Sequence, residues 1–155
     1  MLDHLKFLEA QVKVLEKEIR MIFRRQKSHL TTIPGIADTN AATILSEVGD
    51  ISNFKKQGGR KLVAFAGLDA KVTESGRYVG KPKMSKRGSP YLRHAVMQSS
   101  FVASMHDPFF KSIYDKQIRR GKSHRVAVSH VANKMIHVIY SVLKNDKPYS
   151  APANA

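Results

Sequence analysis

The chain has 155 residues, 42% of them hydrophobic, no cysteine, and 27 lysines and arginines against 12 aspartates and glutamates. That apolar content excludes a disordered tail, and the lack of cysteine excludes disulfides and thiolate zinc sites and fits a reducing compartment. The formal charge of +15 points to a polyanionic partner, nucleic acid ahead of an anionic membrane surface, with a plain basic protein as the bland alternative.

The length suits one ordinary domain with a real core. No apolar run nears the roughly 20 residues of a membrane span. Charged residues from Asp3 onward break up the start, so no signal peptide is expected and the location implied is the cytoplasm.

Residues 2–30 read as one long helix. Leu5, Leu8, Val12, Leu15, Ile19 and Ile22 alternate spacings of three and four, an a/d seam, and Phe7, Val14 and Met21 form a second apolar row. The preferred reading is a coiled-coil arm, residues 1–30, that makes the protein a homo-oligomer, a dimer in the simplest case. The alternative is a helix packed on its own domain. A turn follows at residues 31–36, and Asp38 or Thr39 is placed to cap a helix running to about Val48, with Gly49-Asp50 as its end.

Ile33-Pro34-Gly35-Ile36-Ala37 resembles a helix-hairpin-helix, in which glycine lets the backbone approach a phosphate and the amides of Gly35, Ile36 and Ala37 face the anion. Ala37 stands where a second glycine is usual, and it fits only with a negative φ. The alternative is a helix–turn–helix corner that packs the core.

A third helix is expected from Arg60 to Ala66, stopped by Gly67. Lys71-Val72-Thr73 and Arg77-Tyr78-Val79 flank Glu74-Ser75-Gly76 as a short hairpin, and residues 80–89 read as an exposed loop. Ser89-Pro90 and Asp107-Pro108 each start a helix with a capping residue and a proline at its first position; the first runs to about Met105 and Gly121 closes the second. Ser123 starts the last, with Val128, Val131, Met135, Val138, Ile139 and Val142 as its buried stripe. The fold expected is mainly α: a coiled-coil helix, a helix-hairpin-helix-like element, a small β-hairpin with a basic loop, and three C-terminal helices. Residues 31–149 form the body and 150–155 a flexible tail.

Between Ser75 and His106 there is no acidic residue, but there are Arg77, Lys81, Lys83, Lys86, Arg87 and Arg93. Such an uncompensated cluster on a Gly-rich loop favours phosphate, whereas a merely solvated loop usually mixes its charges. Ser85 lies in its midst. A serine hydroxyl needs activation to attack, and surrounding cations are able to hold a phosphodiester and spread its transition-state charge. Binding phosphate without attacking it is the simpler role for such a serine. Ser75 and Ser89 are its rivals, although Ser89 already serves as a helix cap.

The carboxylates do not gather into the three or four needed around a metal pair. Glu47 and Asp50 cap a turn as readily as they share a helix face, and Asp69 and Glu74 flank the hairpin, available to accept a proton or position a water. The seven histidines are scattered, and His130 and His137 on the last helix read as core or surface rather than as ligands.

Taken in order, Ile33-Pro34-Gly35-Ile36, Leu62–Leu68, Glu74-Ser75-Gly76, Met84-Ser85-Lys86-Arg87-Gly88, Tyr91-Leu92-Arg93 and Gly121-Lys122 resemble the C-terminal transposase domain of the insertion-sequence-110 family, the 110/116/902 group, over roughly residues 30–149. The resemblance implies RNA-guided DNA recombination, with DNA and a guide RNA as partners. It implies magnesium held by a DEDD carboxylate set in an N-terminal RuvC-like domain that this chain does not include, and no cofactor in this chain. It implies that Ser85, in the Ser-Lys-x-Gly segment, is the nucleophile forming a phosphoserine link, with Lys86 and Arg87 gripping phosphate or guide RNA and Ser75 structural. Without the metal-binding domain the chain is expected to be inactive; the other reading is a non-catalytic DNA- or RNA-binding or dimerisation fragment. Ala37, and Ala70 where relatives often carry proline, depart from the family pattern.

Overall fold

The computed structural model describes residues 1–71, 74–75, 78–79 and 83–151. It is mainly helical, as expected. Six α-helices occur among the described residues: α1 Leu2–Arg25, α2 Asp38–Val48, α3 Gly59–Phe65, α4 Pro90–His106, α5 Pro108–Arg119 and α6 His124–Asn145. Four two-residue strands, β1 Ala70–Lys71, β2 Glu74–Ser75, β3 Tyr78–Val79 and β4 Lys83–Met84, lie between α3 and α4. The pairing is nested and antiparallel: Ala70 opposes Met84, and Ser75 opposes Tyr78. Glu74-Ser75 is therefore strand, where the sequence suggested the turn.

Helix α6 is the centre of the body. Val131, Ala132, Met135, Ile136 and Ile139 are fully buried, and Val138 is half-buried. Its length and hydropathy would suit a membrane span, but that apolar surface is spent on packing against α3, α4 and α5. The two Pro-initiated helices start where expected. Ser89 Oγ accepts from Leu92 N at 3.0 Å, and Asp107 Oδ1 accepts from Phe110 N at 3.0 Å. Pro90 and Pro108 occupy positions whose N–H has no helical partner to lose.

Two boundaries differ from the sequence reading. Helix α1 stops at Arg25, since Lys27 turns left-handed (φ 49°) and Ser28 caps a 3-10 turn over His29–Thr32. Helix α2 begins after Ala37, whose side chain cannot cap; Asp38 lies in the first turn and pairs with Arg24 at 3.1 Å. A carboxylate there suits the positive end of the helix dipole.

Most of α1 projects from the body. Only Phe23 is buried, and Leu5, Leu8, Val12 and Leu15 are each about half exposed. The last turns alone pack on α2, around Ile19, Ile22, Ala42 and Leu45.

Candidate active site

Helix α3 ends in a Schellman turn that begins the site. Gly67 sits left-handed (φ 65°), its N–H donates to the Ala64 carbonyl at 2.9 Å, and Leu68 N–H donates to the Val63 carbonyl at 3.0 Å. The chain then leaves through Asp69 into β1.

The segment after β4 returns onto this turn. Ser85 N–H donates to the Asp69 carbonyl at 2.9 Å, Lys86 N–H to the Gly67 carbonyl at 3.0 Å, and Ser89 N–H to the Phe65 carbonyl at 2.7 Å. Residues 85–89 are thus a docked strap, not the free loop the glycine content suggested. Lys86 takes φ 55° to make the bend, a conformation uncommon for a residue with a side chain. Gly88 lies so close to the Phe65 carbonyl and the Gly67 amide that a β-carbon would overlap both.

The strap brings Ser85 to Asp69. The Ser85 hydroxyl donates to Asp69 Oδ1, and both residues are half-buried. Arg87 N–H reaches back to Ser85 Oγ at 3.5 Å, at the limit of a hydrogen bond. Asp69 is thus placed where it could take up the hydroxyl proton, with the Arg87 amide beside the oxygen. Glu47, on α2, accepts from Ser89 Oγ at 2.6 Å and so ties the far end of the strap to the body. Asp50 does not join it; it caps a 3-10 turn, accepting from Ser52 N at 2.8 Å, and hydrogen bonds from Ser52 hold its carboxyl below the usual range.

Of the expected cations, Lys83, Lys86 and Arg87 are exposed around Ser85. Arg93 is half-buried, and its guanidinium donates to the Ala66 carbonyl at 3.1 Å, a cation at the negative end of α3. Arg77 and Lys81 lie outside the described residues, as do the side chains of Glu74 and Ser75. Among the described residues no group of three or more acidic or imidazole side chains converges as a metal site.

The 33–37 hairpin is elsewhere, against α4. Gly35 (φ 84°) rests on the Ser99 carbonyl and the Ala103 amide so closely that no side chain fits. Ile36 is buried, and Ala37 is exposed with φ −85°. Gly35 is therefore required for packing, while Ala37 meets the negative-φ condition. His130 and His137 are both exposed as whole residues, but the His137 ring abuts Gly59, and this partial desolvation, then Lys134 and Arg60, holds its imidazole below the usual range.

The Glu47–Ser89 tie spans 42 positions and carries no local signal. Asp69 stood out in the sequence only as a carboxylate beside the hairpin.

Residues 27–115 match the profile described as the Transposase IS116/IS110/IS902 family. The chain is 28% identical over 146 residues to an uncharacterized protein of insertion element IS110 from Streptomyces coelicolor, covering 93% of this chain and 36% of the relative. It is 28% identical over 148 residues to the corresponding IS116 protein of Streptomyces clavuligerus, covering 94% and 36%. A pilin gene-inverting protein of Moraxella bovis is 27% identical over 124 residues, covering 79% and 38%. The chain thus spans little more than a third of the length of these relatives. With more than half of its residues inside the family profile, the chain belongs to the IS116/IS110/IS902 family of transposases.

Proposed function

We propose that this chain supplies the serine nucleophile for DNA strand cleavage and transfer in transposition. The observation that carries the proposal is the Ser85 hydroxyl donating to Asp69 within a basic strap. Ser85 Oγ attacks a backbone phosphorus as its proton passes to Asp69 Oδ1. The bond from phosphorus to the departing strand oxygen breaks, and that oxygen takes a proton from water. A phosphoserine link remains, and the hydroxyl end of another strand reverses the step: its oxygen attacks the phosphorus as its proton passes to solvent, and the bond to Ser85 Oγ breaks as that oxygen recovers its proton from Asp69. Lys83, Lys86 and Arg87 face the phosphate, and their charge offsets that of the transition state.

The family resemblance assigns target choice to a guide RNA and magnesium to a RuvC-like carboxylate set. No step here runs through the metal. The names of relatives, insertion-element proteins and a gene-inverting protein, support DNA as the substrate; the setting inferred is the cytoplasm, at the nucleoid.

The test is a denaturing-gel assay for a covalent protein–DNA adduct, with the RuvC-like domain, guide RNA, magnesium and labelled DNA supplied. Ser85→Ala should abolish the adduct and retain DNA binding, and Asp69→Asn should slow its formation about 10²–10⁴-fold. An adduct that persists in Ser85→Ala would move the chemistry to another residue.

A second reading concerns α1. Its exposed a/d seam gives a lone helix little reason to persist in water, and we infer that it pairs with α1 of another copy. Sedimentation of the whole chain and of one lacking residues 1–24 tests this; equal association states would exclude the arm as the dimer contact.

A further inference from the structure

The Ser85 strap is not the only acid-free basic stretch of the sequence. From Lys116 to Asn145 there is no Asp or Glu, and Lys116, Arg119, Arg120, Lys122 and Arg125 crowd the short connection between α5 and α6. All five are exposed, and among the described residues none has a carboxylate within 4.0 Å. The last acidic residue before them, Asp115, is engaged by Lys111 at 3.7 Å.

Ordinary helix design does not explain the arrangement. Lys116 and Arg119 suit the negative end of α5, but Arg125 sits in the first turn of α6, where the dipole disfavours a cation. That turn holds no acidic residue, and Ser123 makes no side-chain cap. The connection is nevertheless well built. Gly121 turns left-handed (φ 73°), Lys122 N–H donates to the Gln117 carbonyl at 3.1 Å, and Tyr114 Oη lies 2.7 Å from His124 Nδ1. Cations on a fixed frame lose less freedom on binding than cations on a loose tail.

The connection is distinct from the Ser85 site. His124 stacks edge-on against Phe101, with ring centroids 5.5 Å apart, and Phe101 borders the hollow beside the 33–37 hairpin. His137, which meets the start of α3 at Gly59, lies thirteen positions further on, roughly 20 Å along α6, and the strap docks on the other end of α3, at Phe65 and Gly67.

We propose that the α5–α6 connection is a second nucleic-acid surface, which grips the phosphodiester backbone away from the reacting phosphate. Three of the five cations are arginines, whose planar fork matches phosphate oxygens two at a time. The proposal rests on the nucleic-acid partner of the reading above, but not on Ser85 as nucleophile.

The test compares the full chain with Arg120→Gln/Lys122→Gln/Arg125→Gln. Binding to duplex DNA, to duplex RNA and to phosphatidylserine-containing vesicles is measured over a range of salt. These side chains are exposed, so the circular dichroism spectrum should not change; if the triple variant fails to fold, Lys122→Gln alone serves. The expected result is affinity for DNA, RNA or both lower by about ten- to a hundredfold near 0.15 M salt, with the slope of log K against log salt shallower by roughly 2 to 3, or about 1 for the single variant. The arm that responds identifies the strand. Unchanged affinity and slope for both nucleic acids would overturn the proposal, and so would a loss confined to vesicles. The adduct assay bears on Ser85 and this titration on the α5–α6 cations, so failure of the first leaves the second standing.

Discussion

Gly88→Ala measures how firmly the strap is docked. The backbone of Gly88 is not left-handed, so alanine brings only its methyl group to a place already filled by the Phe65 carbonyl and, 2.7 Å away, the Gly67 amide nitrogen. The strap must retreat by roughly 1.5 Å to restore ordinary contact distances. That breaks the bonds from Ser89 N–H to Phe65 and from Lys86 N–H to Gly67, now 2.7 and 3.0 Å. At about 1 kcal/mol each, with up to about 1 kcal/mol more if Ser89 is pulled off the start of α4, the loss is about 2–3 kcal/mol. For a chain of this size that lowers Tm by about 4–12 °C. Thermal denaturation followed by circular dichroism reads it directly. Gly121→Ala is the comparison, because its surroundings are open and it has only the left-handed backbone to strain, about 1–2 kcal/mol. A Gly88→Ala melt within about 2 °C of wild type would refute the docked strap and, with it, the fixed distance between Ser85 and Asp69.

Gly35→Ala combines both penalties, a left-handed backbone and overlap with α4, and should cost about 2–5 kcal/mol in a denaturant titration. Asp107→Ala removes the cap on Phe110 N–H and should cost about 0.5–2 kcal/mol, read as a Tm drop of a few degrees. His137 has a folded-state pKa below its unfolded one, so the unfolded chain binds the proton more readily; stability is complete above the unfolded value and falls as pH drops from there through the folded value. His137→Gln should therefore flatten the acid side of a Tm-against-pH curve, and an equally steep decline in that variant would assign the proton uptake to another group.

Where the sequence was legible, one or two neighbouring residues settled the structure. Ser89-Pro90 and Asp107-Pro108 placed two helix starts, Gly67 marked the end of α3, and the α6 stripe named most of its own buried face. Capping and helical periodicity act within a few residues, so they survive the loss of everything distant. The site was legible only as parts: Ser85, Asp69 and a run of cations. Their meeting depends on a strap crossing a helix end. Periodicity does not encode that crossing, and the glycine-rich segment suggested a free loop because the same residues serve free loops and close backbone crossings alike. Gly35 shows the same ambiguity. A glycine before a helix fits phosphate approach, but its actual neighbour is the α4 backbone.

The order of the strands around Ser85 has a consequence for how this region tolerates change. Asp69 directly precedes β1, Ser85 directly follows β4, and β1 pairs with β4. Ser85 and Asp69 are thus closed together at the stem of the hairpin. Insertions between β2 and β3 lengthen a loop whose closure is already secured below it, and each doubling of such a loop costs only about 0.6 kcal/mol. The outer part of the hairpin can accordingly grow or shorten without parting Ser85 from Asp69, as a fitting changed on a closed base.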